Sequence, residues 1–382
     1  MHIVHIITRL IVGGAQENTL LSCEGQHDLG HDVTLITGPS LGPEGSLIER
    51  AQTYGYRVEL LGDMRRSILP LKDWHTYLHL INRLRQLKPD VVHTHSSKAG
   101  IVGRWAAHKA KVPRIVHTIH GLAFTASHRP IVNNFYKSLE RHTAPITHNI
   151  VCVANAMARQ SLQASIGKPG QYTTVYSGMD VAPFINPPVA RDAVRNQLSL
   201  RPEHVAVGTI ARLFHMKGHD DLLALAPSLC RQFPHLRFVW IGDGILRQQF
   251  ERQIAEMGLK DRFVLTGLVS PTRIPELTGA LDVLVHPSRR EGLARAIPQG
   301  QLAGCPVVTY DIDGNIEGLI PDVTGWALPP FDVKALGEKL SLVIGDPALR
   351  HSMGQQGRQF ALSRFDTRVM VQGLEAVYRG KS

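Results

Sequence analysis

Short runs of apolar, β-branched residues alternate with longer amphipathic segments along the whole chain. The clearest runs span residues 2–8, 33–37, 91–94, 115–118 and 150–153, and a second series spans residues 205–210, 238–241, 263–265, 283–285 and 307–309. Helical patterns lie between them. In residues 71–87, apolar side chains recur every three or four positions on one face, at Leu71, Trp74, Leu78, Ile81 and Leu84. This alternation is typical of parallel sheets with helices on both faces, so we expect an α/β fold.

A break in this pattern divides the chain in two. Residues 177–190 include Gly178, Pro183 and two further prolines but few periodic apolar positions, the composition of an inter-domain connection. At 382 residues the chain also exceeds what one core usually supports. We predict doubly wound, Rossmann-like domains at residues 1–183 and 184–382, facing each other across a cleft. We expect a terminal helix, about residues 366–380, to pack back toward the first domain.

Composition narrows the class of protein. Hydrophobic residues make up 43% and charged residues 19%, as in ordinary globular proteins, and no apolar run approaches the roughly 20 residues of a membrane-spanning helix. The apolar start lacks an early Lys or Arg and is read as a strand rather than a secretion signal. The four cysteines lie far apart, which favours a reducing, cytoplasmic setting over zinc or disulfides.

The net charge of +10 indicates anionic partners, and nucleic acid, acidic lipid and phosphorylated substrates all fit that sign. The nucleic-acid alternative has no recognised motif or aromatic-basic surface behind it. We therefore expect no nucleic-acid partner.

Two loops that follow strands carry groups suited to a diphosphate. Gly13 and Gly14 open a helix where backbone can approach an anion, although a tight turn before a packed helix explains the pair equally well. Arg212 and Lys217 follow the first strand of the second half and could hold one polyphosphate between them. The alternative for that pair is two solvated loop cations.

The most informative stretch is residues 286–300, which follows a strand and opens a helix. It places Glu291 seven residues before Gln299. Here the chain resembles the fourth family of glycosyltransferases (glycosyl transferases group 1), retaining enzymes of the two-Rossmann GT-B type whose signature is a Glu, seven residues, then a second Glu. The resemblance covers essentially the whole chain, because further motifs fall in family order: Gly13-Gly14, the loop from Arg212 to Lys217, Gly242-Asp243-Gly244, Thr266-Gly267 and Thr324-Gly325.

The resemblance implies a role for each donor-site residue. Glu291 would contact hydroxyls of the donor sugar as a catalytic residue. The diphosphate would lie at the amides of Gly292, Leu293 and Ala294. Gln299 would accept hydrogen bonds from the ribose. With Gly13, Gly14, Arg212, Lys217 and Gly267 these residues form the expected donor site.

The resemblance also implies a catalytic histidine. His120 lies in Thr118-Ile119-His120-Gly121, where the family has a His-Gly pair facing the transferred sugar, although a lone loop histidine is more often structural. Two other patterns suggest metal: His93-Thr94-His95 lacks a third ligand at useful spacing, and Asp311-Ile312-Asp313 occupies the family's loop leading to Glu317. We expect no metal and no cofactor beyond the nucleotide-sugar co-substrate.

The implied function is a retaining, metal-independent, hexosyltransferase-like glycosyltransferase that moves a sugar from a nucleotide-diphosphate donor to a glycan or lipid-linked acceptor. The expected pathway is cell-envelope or exopolysaccharide synthesis. Gln299 in place of a second Glu leaves an alternative, a sugar-nucleotide-binding protein with impaired turnover. We expect a cytoplasmic protein. The basic residues Arg129, Lys137 and Arg141 and the helix of residues 71–87 suggest peripheral attachment to the anionic inner face of the membrane, and a solvated basic face explains them nearly as well. Donor base and sugar, acceptor, linkage and oligomeric state are left open.

Overall fold

The computed structural model describes residues 1–41, 45–125 and 129–380. The chain forms two compact units. The first contains Met1–Met179 and the chain from Thr367 onward, and the second contains Asp180–Asp366. The sequence placed the boundary at residue 183, whereas the chain leaves the first unit at Met179 and returns to it at Thr367.

The first unit is built on a seven-stranded sheet with the order β3-β2-β1-β4-β5-β6-β7, and its strand pairs are parallel. Its strands are β1 His2–Ile7, β2 Asp32–Thr37, β3 Arg57–Leu60, β4 Val91–His95, β5 Arg114–Ile119, β6 Asn149–Cys152 and β7 Tyr172–Thr174. Its first helices are α1 Gly14–Asp28, α2 Ile48–Thr53, α3 Pro70–Leu87, α4 Ser97–Lys109, α5 Pro130–Thr143 and α6 Asn155–Gln163.

The second unit has a six-stranded parallel sheet with the order β10-β9-β8-β11-β12-β13. Its strands are β8 Val205–Ile210, β9 Leu236–Ile241, β10 Phe263–Leu265, β11 Val283–His286, β12 Val307–Tyr310 and β13 Gly325–Leu328. Its helices are α7 Ala182–Ile185, α8 Arg191–Gln197, α9 His219–Gln232, α10 Arg247–Glu256, α11 Ile274–Gly279, α12 Ala296–Leu302, α13 Val333–Gly345 and α14 Pro347–Phe365. The predicted α/β class with two parallel sheets is confirmed.

The last helix, α15 (Thr367–Tyr378), packs on the first unit. Its buried side chains pack in one core cluster with strand residues of the first sheet. The helix contributes Met370, Val371, Leu374, Val377 and Tyr378. It approaches α1 so closely that a Cβ at Gly25 would lie 2.5 Å from Val371. The amphipathic pattern that predicts this helix is therefore matched by an apolar surface on the first sheet.

Three strands were absent from the sequence-based prediction: β3, β7 and β13. Each lies at an edge of its sheet. The side chains of β3 and β7 are half-buried or exposed, so these strands lack the continuous apolar run of a central parallel strand.

Helix α3 buries only part of its predicted apolar face. Ile81 and Leu84 are buried, but Leu71 is 79% exposed, Trp74 57% and Leu78 42%. The amino-terminal half of this helix therefore presents large apolar side chains to solvent. Within the described ranges, no helix combines the length and apolar character that crossing a membrane requires.

Candidate active site

Glu291 lies in the loop after β11 and is held by two basic side chains. Its Oε1 accepts a hydrogen bond from Lys217 Nζ at 2.5 Å and lies 3.0 Å from His286 Nε2. Burial by itself would raise the pKa of this carboxyl group, but the hydrogen bond to His286 and the charge of Lys217 outweigh it and hold the pKa well below its usual range. The second unit thus carries a largely buried carboxylate that stays ionised.

Lys217 reaches Glu291 because two loops interlock. The Arg289 amide donates to the Met216 carbonyl at 2.8 Å, which fixes the loop after β8 against the loop after β11. Gly218 has φ 75°. A Cβ on Gly218 would lie 2.0 Å from the Pro287 carbonyl oxygen, so only glycine permits this approach. The close contact places the preceding lysine beside the carboxylate.

Arg212 lies on the same loop but has a different neighbour. Its guanidinium lies 4.7 Å from the centre of the Phe214 ring, and its side chain is exposed. The sequence predicts that Arg212 and Lys217 hold one polyphosphate together. The structure places Lys217 against Glu291 and Arg212 against Phe214, and their joint contact with a polyphosphate stays a prediction.

The amides that follow Glu291 are not all available to an anion. The Ala294 amide donates to Asn315 Oδ1 at 3.1 Å. The Glu291 amide donates to Asp313 Oδ2 at 3.2 Å, which gives the Asp311 to Asp313 loop a positioning role. The Ala294 amide is thus engaged within the protein in this structure, and its contact with a diphosphate stays a prediction. Gly292 and Leu293 are the other two amides predicted to lie at the diphosphate.

Helix α12 accommodates Pro298 in its first turn. The helix begins at Ala296, so Pro298 is its third residue, where a missing N–H breaks no intrahelical bond. The Gln299 amide donates to the Arg295 carbonyl at 3.1 Å. Gln299 is half-buried one turn beyond the Glu291 loop.

The glycines of the second unit's remaining motifs have a structural explanation. Gly267 has φ 73° and is bridged to Gly242. A Cβ on Gly242 would lie 2.2 Å from the Ala211 carbonyl oxygen, so the loops after β8 and β9 touch through glycine. Whether or not Gly267 contacts a donor, its backbone conformation favours glycine.

The glycine pair of the first unit starts α1. Helix α1 begins at Gly14, and Gly13 is its N-cap in an extended conformation that any residue adopts. A Cβ on Gly13 would meet Gln16 Oε1 at 2.7 Å, the end of a side chain that can move. The backbone geometry therefore does not by itself require glycine at Gly13.

His120 follows β5 and lines a cavity of about 290 Å³ in the first unit together with Ser97 and Gly121. Its Nε2 lies 3.1 Å from His95 Nδ1. The predicted catalytic histidine is thus hydrogen-bonded to a histidine of the neighbouring strand. Sequence reasoning did not foresee this link.

The histidine pair of β4 has a third partner that spacing along one strand could not reveal. His5 on β1 is paired in register with His93, and nitrogens of His5, His93 and His95 lie within 4.8 Å of one another. Each of their six ring nitrogens already has a hydrogen-bond partner in the structure. The geometry therefore favours a hydrogen-bonded network over a metal centre.

A larger cavity of about 510 Å³ opens in the first unit beside α3, α4 and α5. Its lining includes the cations Arg9, Arg66 and Lys98, and Lys98 is paired with Asp73. Apolar side chains form the rest of the wall, including Ile68, Ile101, Val102, Phe135 and Leu139. Such a lining suits a ligand that is anionic at one end and apolar at the other.

Comparison with known proteins gives matches along most of the chain. The family model described as glycosyl transferases group 1 matches residues 190–360, and the model described as Glycosyltransferase Family 4 matches residues 12–182. The UDP-Gal:alpha-D-GlcNAc-diphosphoundecaprenol alpha-1,3-galactosyltransferase of Escherichia coli is 29% identical, over 91% of this chain and 89% of its own. The capsular polysaccharide biosynthesis glycosyltransferase CapM of Staphylococcus aureus is 22% identical, over 82% and 83%.

Among solved structures, Anabaena Alr3699/HepE in complex with UDP matches with a TM-score of 0.84 and 20% identity, over 100% of both chains. At that identity the match shows a shared fold. The family models and this shared fold both agree with the two parallel-sheet units described above.

Proposed function

Because this chain belongs to the group 1 glycosyltransferases and has the GT-B fold, we propose that it is a retaining, metal-independent enzyme of envelope polysaccharide synthesis. The donor would be a nucleotide-diphosphate sugar and the acceptor a lipid-linked glycan. The observation that carries the proposal is the largely buried Glu291 carboxylate, kept ionised by Lys217 and His286.

In this proposal the second unit binds the donor. Glu291 accepts hydrogen bonds from sugar hydroxyls. Lys217 has three N–H donors, so it can keep its bond to Glu291 and also contact a phosphate oxygen. Arg212 and the amides of Gly292 and Leu293 add further positive potential, and Gln299 accepts from the ribose.

These groups give the departing diphosphate a stabilising environment without a metal ion. Charge that develops on a leaving group is stabilised by preorganised donors in a site that excludes water. Retention follows if the acceptor attacks from the face that the diphosphate leaves, and the leaving phosphate takes the acceptor's proton. No protein nucleophile is then required, and His120 positions the transferred sugar.

The cavity of the first unit supports an acceptor with an anionic group joined to an apolar chain. Its cations suit a diphosphate and its apolar wall suits a lipid. The name of the Escherichia coli relative specifies just such an acceptor, a GlcNAc-diphosphoundecaprenol, with UDP-galactose as donor. We propose peripheral attachment to an anionic membrane surface on the cytoplasmic side, where such an acceptor would be met.

The test is a transfer assay with UDP-galactose and a GlcNAc-diphospholipid in the presence of EDTA, with a panel of other nucleotide sugars alongside. We expect UDP release that requires the acceptor, and a product whose anomeric configuration matches the donor by NMR. Glu291→Ala is the inactive control. Binding without transfer to any acceptor, loss of activity with EDTA, or an inverted product would each contradict the corresponding part of the proposal.

A further inference from the structure

A chain of hydrogen bonds runs through the core of the first unit and ends at His120. It starts on α15, where the Tyr378 hydroxyl lies 3.0 Å from Gln26 Nε2 of α1. Gln26 Oε1 lies 2.7 Å from His5 Nε2, and His5 Nδ1 lies 2.9 Å from His95 Nε2. His95 Nδ1 then lies 3.1 Å from His120 Nε2.

The histidines inside this chain are neutral. His5, Gln26 and His95 are fully buried, and Tyr378 is 4% exposed. Burial lowers the pKa of His5 to about 4 and holds the pKa of His95 well below its usual range. A neutral imidazole donates from one nitrogen and accepts at the other, so the direction of one bond fixes the direction of the next.

The amide of Gln26 sets that direction. Its Nε2 donates to the Tyr378 hydroxyl, so its Oε1 accepts from His5 Nε2–H. His5 Nδ1 must then accept from His95 Nε2–H, and His95 Nδ1 from His120 Nε2–H. Turning the Gln26 amide over would reverse every bond, so only two states satisfy all the nitrogens, and the structure has this one.

A side branch leaves from the same tyrosine. The Tyr378 hydroxyl, which accepts from Gln26, lies 2.6 Å from His93 Nδ1, and His93 Nε2 lies 2.6 Å from Thr118 Oγ1. These two bonds can form with the Gln26 amide in either orientation, so the direction of the bonds that lead to His120 is set by Gln26 alone.

We propose that Gln26 and Tyr378, acting through His5 and His95, are positioning residues that hold His120 in the tautomer with its proton on Nε2. His120 Nδ1 then carries the lone pair, and the imidazole meets a sugar hydroxyl as a hydrogen-bond acceptor. The inference rests on the proposed function in assigning His120 to the sugar. The outer partner of a functional imidazole decides which nitrogen carries the proton and how the ring is oriented.

The test is a two-bond proton–nitrogen correlation NMR spectrum of the full chain labelled at the imidazole nitrogens, which distinguishes Nδ1–H from Nε2–H. The signals of His120 are assigned by their loss in His120→Asn. We expect the Nε2–H tautomer for His120 in the wild type. Gln26→Leu removes the acceptor and Tyr378→Phe releases the Gln26 amide, so each should populate the Nδ1–H form of His120.

Thr118→Val is the matched control, because it removes a buried hydroxyl from the side branch and should leave the His120 tautomer unchanged. An Nδ1–H tautomer in the wild type overturns the proposal without any variant having to fold. An unaltered His120 pattern in both Gln26→Leu and Tyr378→Phe overturns it as well.

Kinetics separate this proposal from the proposed function. We expect Gln26→Leu to lower kcat about 10- to 100-fold with little change in the donor KM. Losses of this size follow removal of the hydrogen-bond partner behind a functional histidine in metalloenzymes, where that partner likewise fixes the tautomer and orientation of the ring. If His120 has the expected tautomer but His120→Ala keeps wild-type turnover, the sugar-binding role of His120 is wrong and the positioning role of Gln26 and Tyr378 is retained. If His120 has the opposite tautomer while His120→Ala is inactive, the positioning role is wrong and the role of His120 in transfer is retained.

Discussion

At the scale of single residues, Glu291 illustrates how charge is kept in a place with little water. Its side chain is 16% exposed, and both of its basic partners contact the same oxygen, Oε1. Removing one partner of a buried ion pair costs more than the pair contributes, because the other charge is left uncompensated. The carboxylate therefore depends on Lys217 and His286 remaining in place.

We predict that Glu291→Ala lowers the rate of transfer by at least about 100-fold, the size of effect expected when one preorganised electrostatic contact to the transition state is lost. Lys217→Met should also lower it severely while the fold survives. Glu338→Ala is the matched control, since Glu338 forms an exposed pair with Lys334 on α13. Steady-state kinetics with circular dichroism check these outcomes, and wild-type turnover in Glu291→Ala would remove it from the site.

Gln299 departs from the two-glutamate pattern but can still accept a hydrogen bond from a ribose hydroxyl. A neutral contact contributes on the order of 1 kcal/mol, and a charge-assisted one about 1.5 to 3 kcal/mol. We predict that Gln299→Glu changes the donor dissociation constant by no more than about tenfold, near 1.4 kcal/mol. Calorimetric titration with donor measures this. An inactive wild type that Gln299→Glu switches on would instead identify a binding protein.

At the scale of elements, short loops decide which side chains meet. The loop after β8 can place Lys217 beside Glu291 because Gly218, which has no Cβ, packs directly against the Pro287 carbonyl. A helix or strand pattern carries no information on this contact, since it joins residues about 70 positions apart along the chain.

We predict that Gly218→Ala destabilises the fold and raises the donor KM, because its Cβ would clash with the Pro287 carbonyl and shift Lys217. Gly258→Ala is the control: Gly258 has φ 68° with nothing within 4 Å of an added Cβ. That variant should cost only the left-handed backbone strain of about 1 to 2 kcal/mol. Thermal unfolding compares the two, and equal losses would contradict the loop contact.

The exposed apolar side chains of α3 and α5 support a prediction about membranes. Leu71 and Trp74 on α3, and Ile131 on α5, are 79%, 57% and 77% exposed. With basic neighbours such as Arg129 and Lys137 they suit an anionic interface. We predict that Trp74→Ser and Ile131→Ser reduce flotation with acidic vesicles, and that salt weakens binding of the wild type.

Leu268→Ser, at an 80% exposed position of the second unit, should leave flotation unchanged. Equal flotation of the wild type with acidic and neutral vesicles would rule out this mode of attachment.

At the scale of the whole molecule, buried histidines link stability to pH. His219 packs against Trp240 and Phe250, and neither of its ring nitrogens has a hydrogen-bond partner among the described residues. Burial lowers its pKa to about 3. The unfolded chain therefore binds a proton at His219 that the folded chain does not, between the folded pKa and the unfolded value of about 6.5.

We predict that the free energy of unfolding falls as pH drops from about 6.5 toward 3, with His219 contributing up to about 1.4 kcal/mol per pH unit. His219→Phe should reduce this slope by the contribution of about one proton, about 1.4 kcal/mol per pH unit. Phe250→Leu alters the same packing without removing a titrating group, so it should lower stability by a similar amount at every pH. Denaturant unfolding at several pH values measures the slopes, and an unchanged slope in His219→Phe would contradict the neutral buried form.

Local patterns were enough to predict the class of fold. Central strands such as β1 and β11 are mostly apolar and almost entirely buried, because both faces of a parallel sheet are covered. The spacing from Glu291 to Gln299 lies within one loop and one helix, so it can be recognised without knowledge of the fold. Edge strands such as β3 lack a full apolar run and were missed.

The contacts between distant segments were decided by tertiary structure. Helix α15 had a readable amphipathic pattern, but only packing shows Tyr378 reaching Gln26 on α1, 352 positions away along the chain. His5 joins His93 because β1 and β4 are neighbours in register, and Lys217 meets Glu291 because two loops interlock. Sequence periodicity reports which face of an element is buried, whereas these pairs depend on which elements are neighbours and in what register.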